Sequence, residues 1–435
     1  MKLLTRINWT CIIGLILVVS PIGVHSSEIT LIDGENQSQQ DRLMQQVERA
    51  IATSKRRYLS TETHSPWQIM HGMLSMRYDY QIKQNGVKVS ALEWVASNPS
   101  FRGEPLLQLT PYGARFHPFN YPYAFEGHPC QFLSFLTMYD LPLDYEFRVE
   151  GKTVTLADII NNAKMEVNDR EEVTWVLWSL CHWVHPDEQW VNKYGEPWSL
   201  ERIVRTEIGK NTEKAACGGT HGLFALSYAC QKYEEKTGRR ISGAWREADY
   251  KVNRYIQTAR HLQNRDGSFS SESFRGRGYT SDINKRLATT GHILEFLMMA
   301  LPDNQLNQQW VRNAVYAVSR DLVNSQQTTI KCGPLYHSVH SLVLYQERIA
   351  KRYQQEKSAE EQMAQDRPKI QLPEISQQPR RYRYDLPAPA TPAQEVKISE
   401  RIAEEAAQDD DDRRSRRASR LSRLLNTRHH FRRTR

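Results

Sequence analysis

Beyond its first twenty residues the chain has no apolar run of the ~20 residues that a membrane-spanning helix needs. It also has no net charge to spare in its middle. The overall balance of +8 comes from the two ends, leaving residues 27–348 near neutral. A near-neutral body excludes the basic footprint of a nucleic-acid-binding protein. Cysteine is scarce and odd in number once the leader is set aside: Cys130, Cys181, Cys217, Cys230 and Cys332. An odd count in an exported chain excludes a fully paired disulfide framework.

What is present falls into four stretches. Lys2 and Arg6 precede the apolar run from Cys11 to Ser20, and Val24-His25-Ser26 offers small residues for cleavage. Residues 1–26 therefore read as a signal peptide, and the protein as exported to a periplasmic or extracellular space. Residues 27–66 are polar, with one helical stretch near Leu43–Ala52. Residues 67–348 form the globular body, rich in aromatic and aliphatic side chains. Residues 349–435 turn to Gln, Glu, Lys, Arg and Pro and read as a disordered charged tail. Its last segment, with ten arginines after Asp409–Asp412, suits an anionic surface or simply solvent.

Within the body two kinds of helix alternate. Apolar stretches at Trp175–Cys181, Leu223–Cys230, Ile293–Ala300 and Leu335–Tyr345 have little polar surface and predict buried helices. Amphipathic stretches over 156–167, 200–208, 245–263 and 308–323 predict helices with one wet face. Histidines recur at or near the starts of the buried segments: His71, His128, His221, His292 and His337. The pattern predicts an all-α fold of about six helical hairpins, with inner helices around an axis and outer helices around them.

One segment is more specific. Residues 254–269 end in Gln263-Asn264-Arg265-Asp266-Gly267-Ser268-Phe269. Asp266-Gly267 suits a turn, Gln263 can bond nearby backbone, and Phe269 can pack beneath. This segment resembles the repeat of squalene/terpenoid cyclases and protein prenyltransferases, which implies an α/α-toroid. Gly219–Leu226 and Thr290–Phe296 are similar to segments of a branch of exported bacterial proteins. The chemistry of the cyclases does not carry over. The one Asp-x-Asp-Asp match, Asp409–Asp412, lies in the tail, the body has no Asp-Asp-x-x-Asp, and Cys332 follows Ile330-Lys331 rather than Asp-x.

The candidate chemistry lies in the helix starts. Cys217-Gly218-Gly219-Thr220-His221 and Cys332-Gly333-Pro334-Leu335-Tyr336-His337 both set a cysteine and glycine before a histidine. Cys217, His221, Cys332 and His337 could meet as a zinc site. The lanthionine cyclases, another toroid family, also hold zinc by Cys and His. Free buried thiols and a Cys217–Cys332 disulfide are the alternatives. His128, His221, His292 and His337 are candidates for acid/base work, with Glu126 and Glu295 as the carboxyl groups. The aromatic loop Arg115–Pro129 resembles a sugar-stacking surface. Toroids that act as chondroitin- and alginate-type lyases supply an analogy at the level of fold. Three functions follow as expectations: binding or processing a polar polymer such as a polysaccharide, a non-catalytic scaffold at the cell envelope, or a zinc-dependent enzyme.

Overall fold

The computed structural model describes residues 26–118 and 123–365. The leader expected at 1–26 and the Arg-rich end of the tail lie, but for Ser26, outside the described residues. Among the described residues the chain is mostly helical, with twelve α-helices and a few short strands. Among the described residues, no helix is long and apolar enough to cross a membrane.

The helices alternate in character. α2 (Pro66–Met76), α4 (Gln131–Leu136), α6 (Thr174–Trp183), α8 (Thr220–Thr237), α10 (Ile283–Ala300) and α12 (Cys332–Gln365) carry most of the fully buried side chains. Each packs against the next in this order, and α12 packs against α2. α1 (Ser26–Lys55), α3 (Ala91–Ala96), α5 (Leu156–Glu166), α7 (Leu200–Gly209), α9 (Gly243–His261) and α11 (Gln309–Asn324) bury one side only. α7 and α9 pack on α8, α11 packs on both α10 and α12, and α1 packs on α11 and α12. Trp175 and Trp178 of α6 stack at 5.3 Å, and Phe135 meets both edge-on at 5.6 and 6.3 Å. These rings lie in one continuous core.

Five two-stranded antiparallel hairpins, absent from the all-α expectation, occupy the first half. They are β1 (Gln81–Gln84) with β2 (Val87–Ser90), β3 (Ser100–Phe101) with β4 (Glu104–Pro105), β5 (Leu107–Thr110) with β6 (Gly113–Phe116), β7 (Glu146–Val149) with β8 (Lys152–Thr155), and β9 (Gln189–Val191) with β10 (Pro197–Ser199). Three of them end on the N-cap of an outer helix. Ser90, Thr155 and Ser199 close β2, β8 and β10, and each hydroxyl accepts from a backbone N–H of the following helix. Strand dihedrals and N-cap dihedrals coincide, so a hairpin delivers the chain into a helix without a linker.

The tail begins later than expected. α12 runs past Arg348 to Gln365, and Ile349 is buried. Residues 349–365, read from composition as disordered, are helical.

The Gln263–Phe269 segment is a three-way clasp. Gln263 Nε2 donates to the carbonyls of Gly267 and Trp310, at 3.0 and 2.8 Å. Asp266 accepts from the Ser268 N–H and hydroxyl. It also pairs with Arg286 at 2.9 Å, and Arg286 in turn holds Asp321 at 2.6 Å. Gly267 has φ +86, and a Cβ there would lie 2.3 Å from the Asn313 carbonyl oxygen. The end of α9 is thereby fastened to α10 and α11. Gly267→Ala should lower the stability of the chain by about 1–3 kcal/mol, from left-handed strain plus the clash. Gly86→Ala, at a similar φ of +77 with nothing within 4 Å, should cost clearly less. Urea denaturation of both variants checks this; equal losses would mean that the Asn313 contact is slack.

Candidate metal and ligand site

The five histidines expected at helix starts meet, but not all are at a start. His221 is the second residue of α8, His71 and His337 are each the sixth of α2 and α12, and His128 precedes α4. His292 lies midway along α10, which begins at Ile283 rather than near Thr290. His337 and His292 lie 4.1 Å apart between ring centroids, and His221 is 5.0 Å from each. His71 is 5.3 Å from His337, and His128 is 6.4 Å from His221. His71, His221, His292 and His337 are buried. The close approach has a local cause. Gly291 faces α12 so tightly that a Cβ would sit 2.1 Å from Ser338 Oγ. Any larger residue there would part α10 from α12, and with them His292 from His337.

Cys217 reaches the cluster by a different device. Cys217, Gly218 and Gly219 are successive left-handed residues, with φ of 50, 67 and 78. A non-glycine residue held in this region is strained, and such strain collects at functional positions. The turn lies at the surface and Cys217 is exposed, at the edge of the buried cluster. Sγ of Cys217 and ring nitrogens of His221 and His292 lie within 4.8 Å of one another. A second set, from His221, His337 and Glu295, meets the same limit. Burial, then the nearby Glu295 and Glu172 carboxylates, push the Cys217 thiol up to about 12. A cation between these groups would reverse that.

The hydrogen bonds assign directions to the rings. Glu295 accepts from His337 Nδ1 at 2.8 Å and from His340 Nδ1 at 2.6 Å. His337 therefore turns Nε2 away from Glu295, the arrangement in which a carboxylate fixes a metal-binding imidazole. His71 Nδ1 donates to the Trp67 carbonyl at 2.7 Å. His221 is the anomaly: neither of its buried ring nitrogens has a partner. Burial, reinforced by the neighbouring His337, pushes His292 down to about 3, and burial pushes His337 down to about 3. Burial and the same neighbours hold His221 well below its usual range. The rings are neutral at physiological pH and offer lone pairs.

The other expected residues lie elsewhere. Cys332 is outside both ligand sets, half-buried near Gln68. It opens α12 five residues before His337, which at 1.5 Å per residue leaves it about 7 Å along the axis. Cys217 escapes this because its left-handed turn folds the chain back. His292 stands where Cys332 was expected. Cys217 and Cys332 are both free thiols, as are Cys130, Cys181 and Cys230. Glu126 is also separate from Glu295. It is buried, accepts from the Phe132 N–H at 2.8 Å, and lines a pocket with His128. His128 stacks on Trp175 at 5.4 Å and bonds Glu172 at 2.5 Å. His71 and His340 were not among the candidates. The His71-Gly72 pair was a visible signal for the first, and the one-turn offset from His337 for the second.

Burial raises Glu126 to about 8 from an ordinary 4.5. The folded chain thus holds a proton that the unfolded chain has lost. The stabilisation is complete below about pH 4.5 and disappears as the pH rises to 8. Relative to Glu126→Gln, the wild-type chain should lose up to about 1.4 kcal/mol per pH unit across that window. Urea midpoints of both proteins from pH 5 to 8.5 check it; parallel profiles would contradict it. No family model, curated protein or solved structure matches the chain, so the site stands on its own geometry.

Proposed function

We propose that this chain is an exported α/α-toroid that binds a zinc ion among the histidines of its inner helices. The observation that carries the metal reading is His221, a fully enclosed imidazole with both nitrogens unpaired amid other ligand atoms. An orphaned buried nitrogen costs about 1–3 kcal/mol unless something binds it. Cys217, His221 and His292 form one three-ligand group, and His337 joins His221 in a second. An ion that drew His337 in as a fourth ligand would take one sulfur and three nitrogens, a set of the kind zinc takes. Thiolate and imidazole together favour zinc over magnesium or calcium, which take oxygen. Glu295 is then a positioning residue, holding His337 through Nδ1. On this reading His221, His292 and His337, expected as acids or bases, are ligands, and His128 is not.

The toroid reading is supported by the order of helix contacts, in which six buried helices neighbour one another in sequence and the last meets the first. The Gln263–Phe269 clasp supports it from sequence. Export rests on residues 1–26, and contact of the tail with an anionic surface rests on its arginines.

The purified full chain should contain about one zinc per molecule. Cys217→Ser and His221→Ala should each lose most of it, Glu295→Gln should weaken binding about 10- to 100-fold, and Cys332→Ser should bind as wild type. Elemental analysis and competition with a chromophoric chelator measure this. Metal-free protein, or loss of zinc in Cys332→Ser but not Cys217→Ser, would overturn the assignment.

A further inference from the structure

A pocket of about 410 Å³ opens beside the histidine cluster. Its walls come from the β5–β6 hairpin, the loop before α4, helix α5, the α5–α6 loop, and the turn between β9 and β10. The volume falls within the range of small-ligand sites. His128 is its inner wall, with the Trp175 ring at 5.4 Å and the His221 ring at 6.4 Å beyond it.

The lining holds two cations, Arg115 and Lys193, against the carboxylates of Glu166, Glu171 and Glu172, so it has no excess of positive charge. Glu166 lies between Arg115 at 3.3 Å and Lys193 at 3.2 Å. Glu172 is bonded to His128. Glu126, fully enclosed and uncharged at neutral pH, completes the floor. Only Glu171, exposed at the rim, has no such countercharge in the lining. An anionic ligand would meet more carboxylates than cations, and an apolar one would strand the carboxyl, guanidinium and amide groups. What fits is a neutral molecule rich in hydroxyls. Such a ligand can donate to the carboxylates and accept from Arg115 and Lys193 without disturbing their pairing. Tyr194, half-exposed at the rim, adds a ring on which a sugar face can lie.

We infer that this pocket binds a neutral sugar residue, with Glu166, Arg115 and Lys193 reading its hydroxyls and Tyr194 stacking on its ring. The inference goes beyond the zinc centre and does not depend on it: the pocket residues are not metal ligands.

The test is calorimetric titration of the full chain with maltotriose, cellotriose and chitotriose, alongside trigalacturonate as an acidic probe. At least one neutral trisaccharide should bind. Tyr194→Ala, a surface change in a hairpin turn, should weaken that binding about tenfold, and Glu166→Gln should do the same or more. Glu126→Gln, which keeps a neutral group in place, should stay within about twofold of wild type. Circular dichroism of each variant shows whether it is folded. Binding by none of the neutral sugars, binding by trigalacturonate alone, or an unchanged affinity in folded Tyr194→Ala would overturn the inference. Zinc content is measured on the same samples, so failure of either reading is seen separately.

Discussion

Neutral imidazoles packed against one another in a buried cluster constrain the centre of this molecule. His221, His292 and His337 are packed ring against ring, each neutral because burial makes the charged form costly. Neutral imidazoles in contact offer acceptors as well as donors, and His221 finds partners for neither nitrogen. A fold that depended only on apolar packing would gain by replacing that ring with leucine or phenylalanine. The proposed cation would take up several lone pairs at once and would convert a set of individually unfavourable burials into a single stabilising centre. Glu295 fits this account, because it neutralises charge nearby while leaving the inward nitrogen of His337 available.

The rest of the architecture serves to bring those rings to one level. Glycine at Gly291 lets α10 and α12 approach until His292 and His337 lie 4.1 Å apart. Outer helices are fastened by short hairpins that end on capping hydroxyls, and by the Gln263–Asp266–Arg286 clasp. The hairpins also wall the polar pocket, which meets the cluster at His128. The two features share one residue and little else. One is buried and rich in imidazole; the other opens to the surface and is rich in charged side chains.

The helices and the meeting of histidines were legible because both depend on local pattern. Apolar residues at helical spacing mark Trp175–Cys181 and Ile293–Ala300, and a histidine near the start of a buried helix is conspicuous. The ligand set was less legible. Cys217 and Cys332 look alike in sequence, each followed by glycine with a histidine shortly after. Only the φ values of 217–219 distinguish a turn that folds back from a helix that simply continues. The hairpins were hidden by length, since strands of two to four residues have no measurable period. Asn85-Gly86, a pair suited to a tight hairpin turn, was their clearest trace. The end of the body was misplaced because α12 turns polar at Arg348 while Ile349 still packs inward. Composition registers the solvent face of such a helix as tail.

X-ray absorption at the zinc edge, on the full chain as purified, tests the central claim most directly. The account predicts one sulfur at about 2.3 Å and three nitrogen neighbours at about 2.0–2.1 Å, with the multiple-scattering signature of imidazole. A first shell of oxygen alone, a shell with two sulfurs, or the absence of zinc would contradict it.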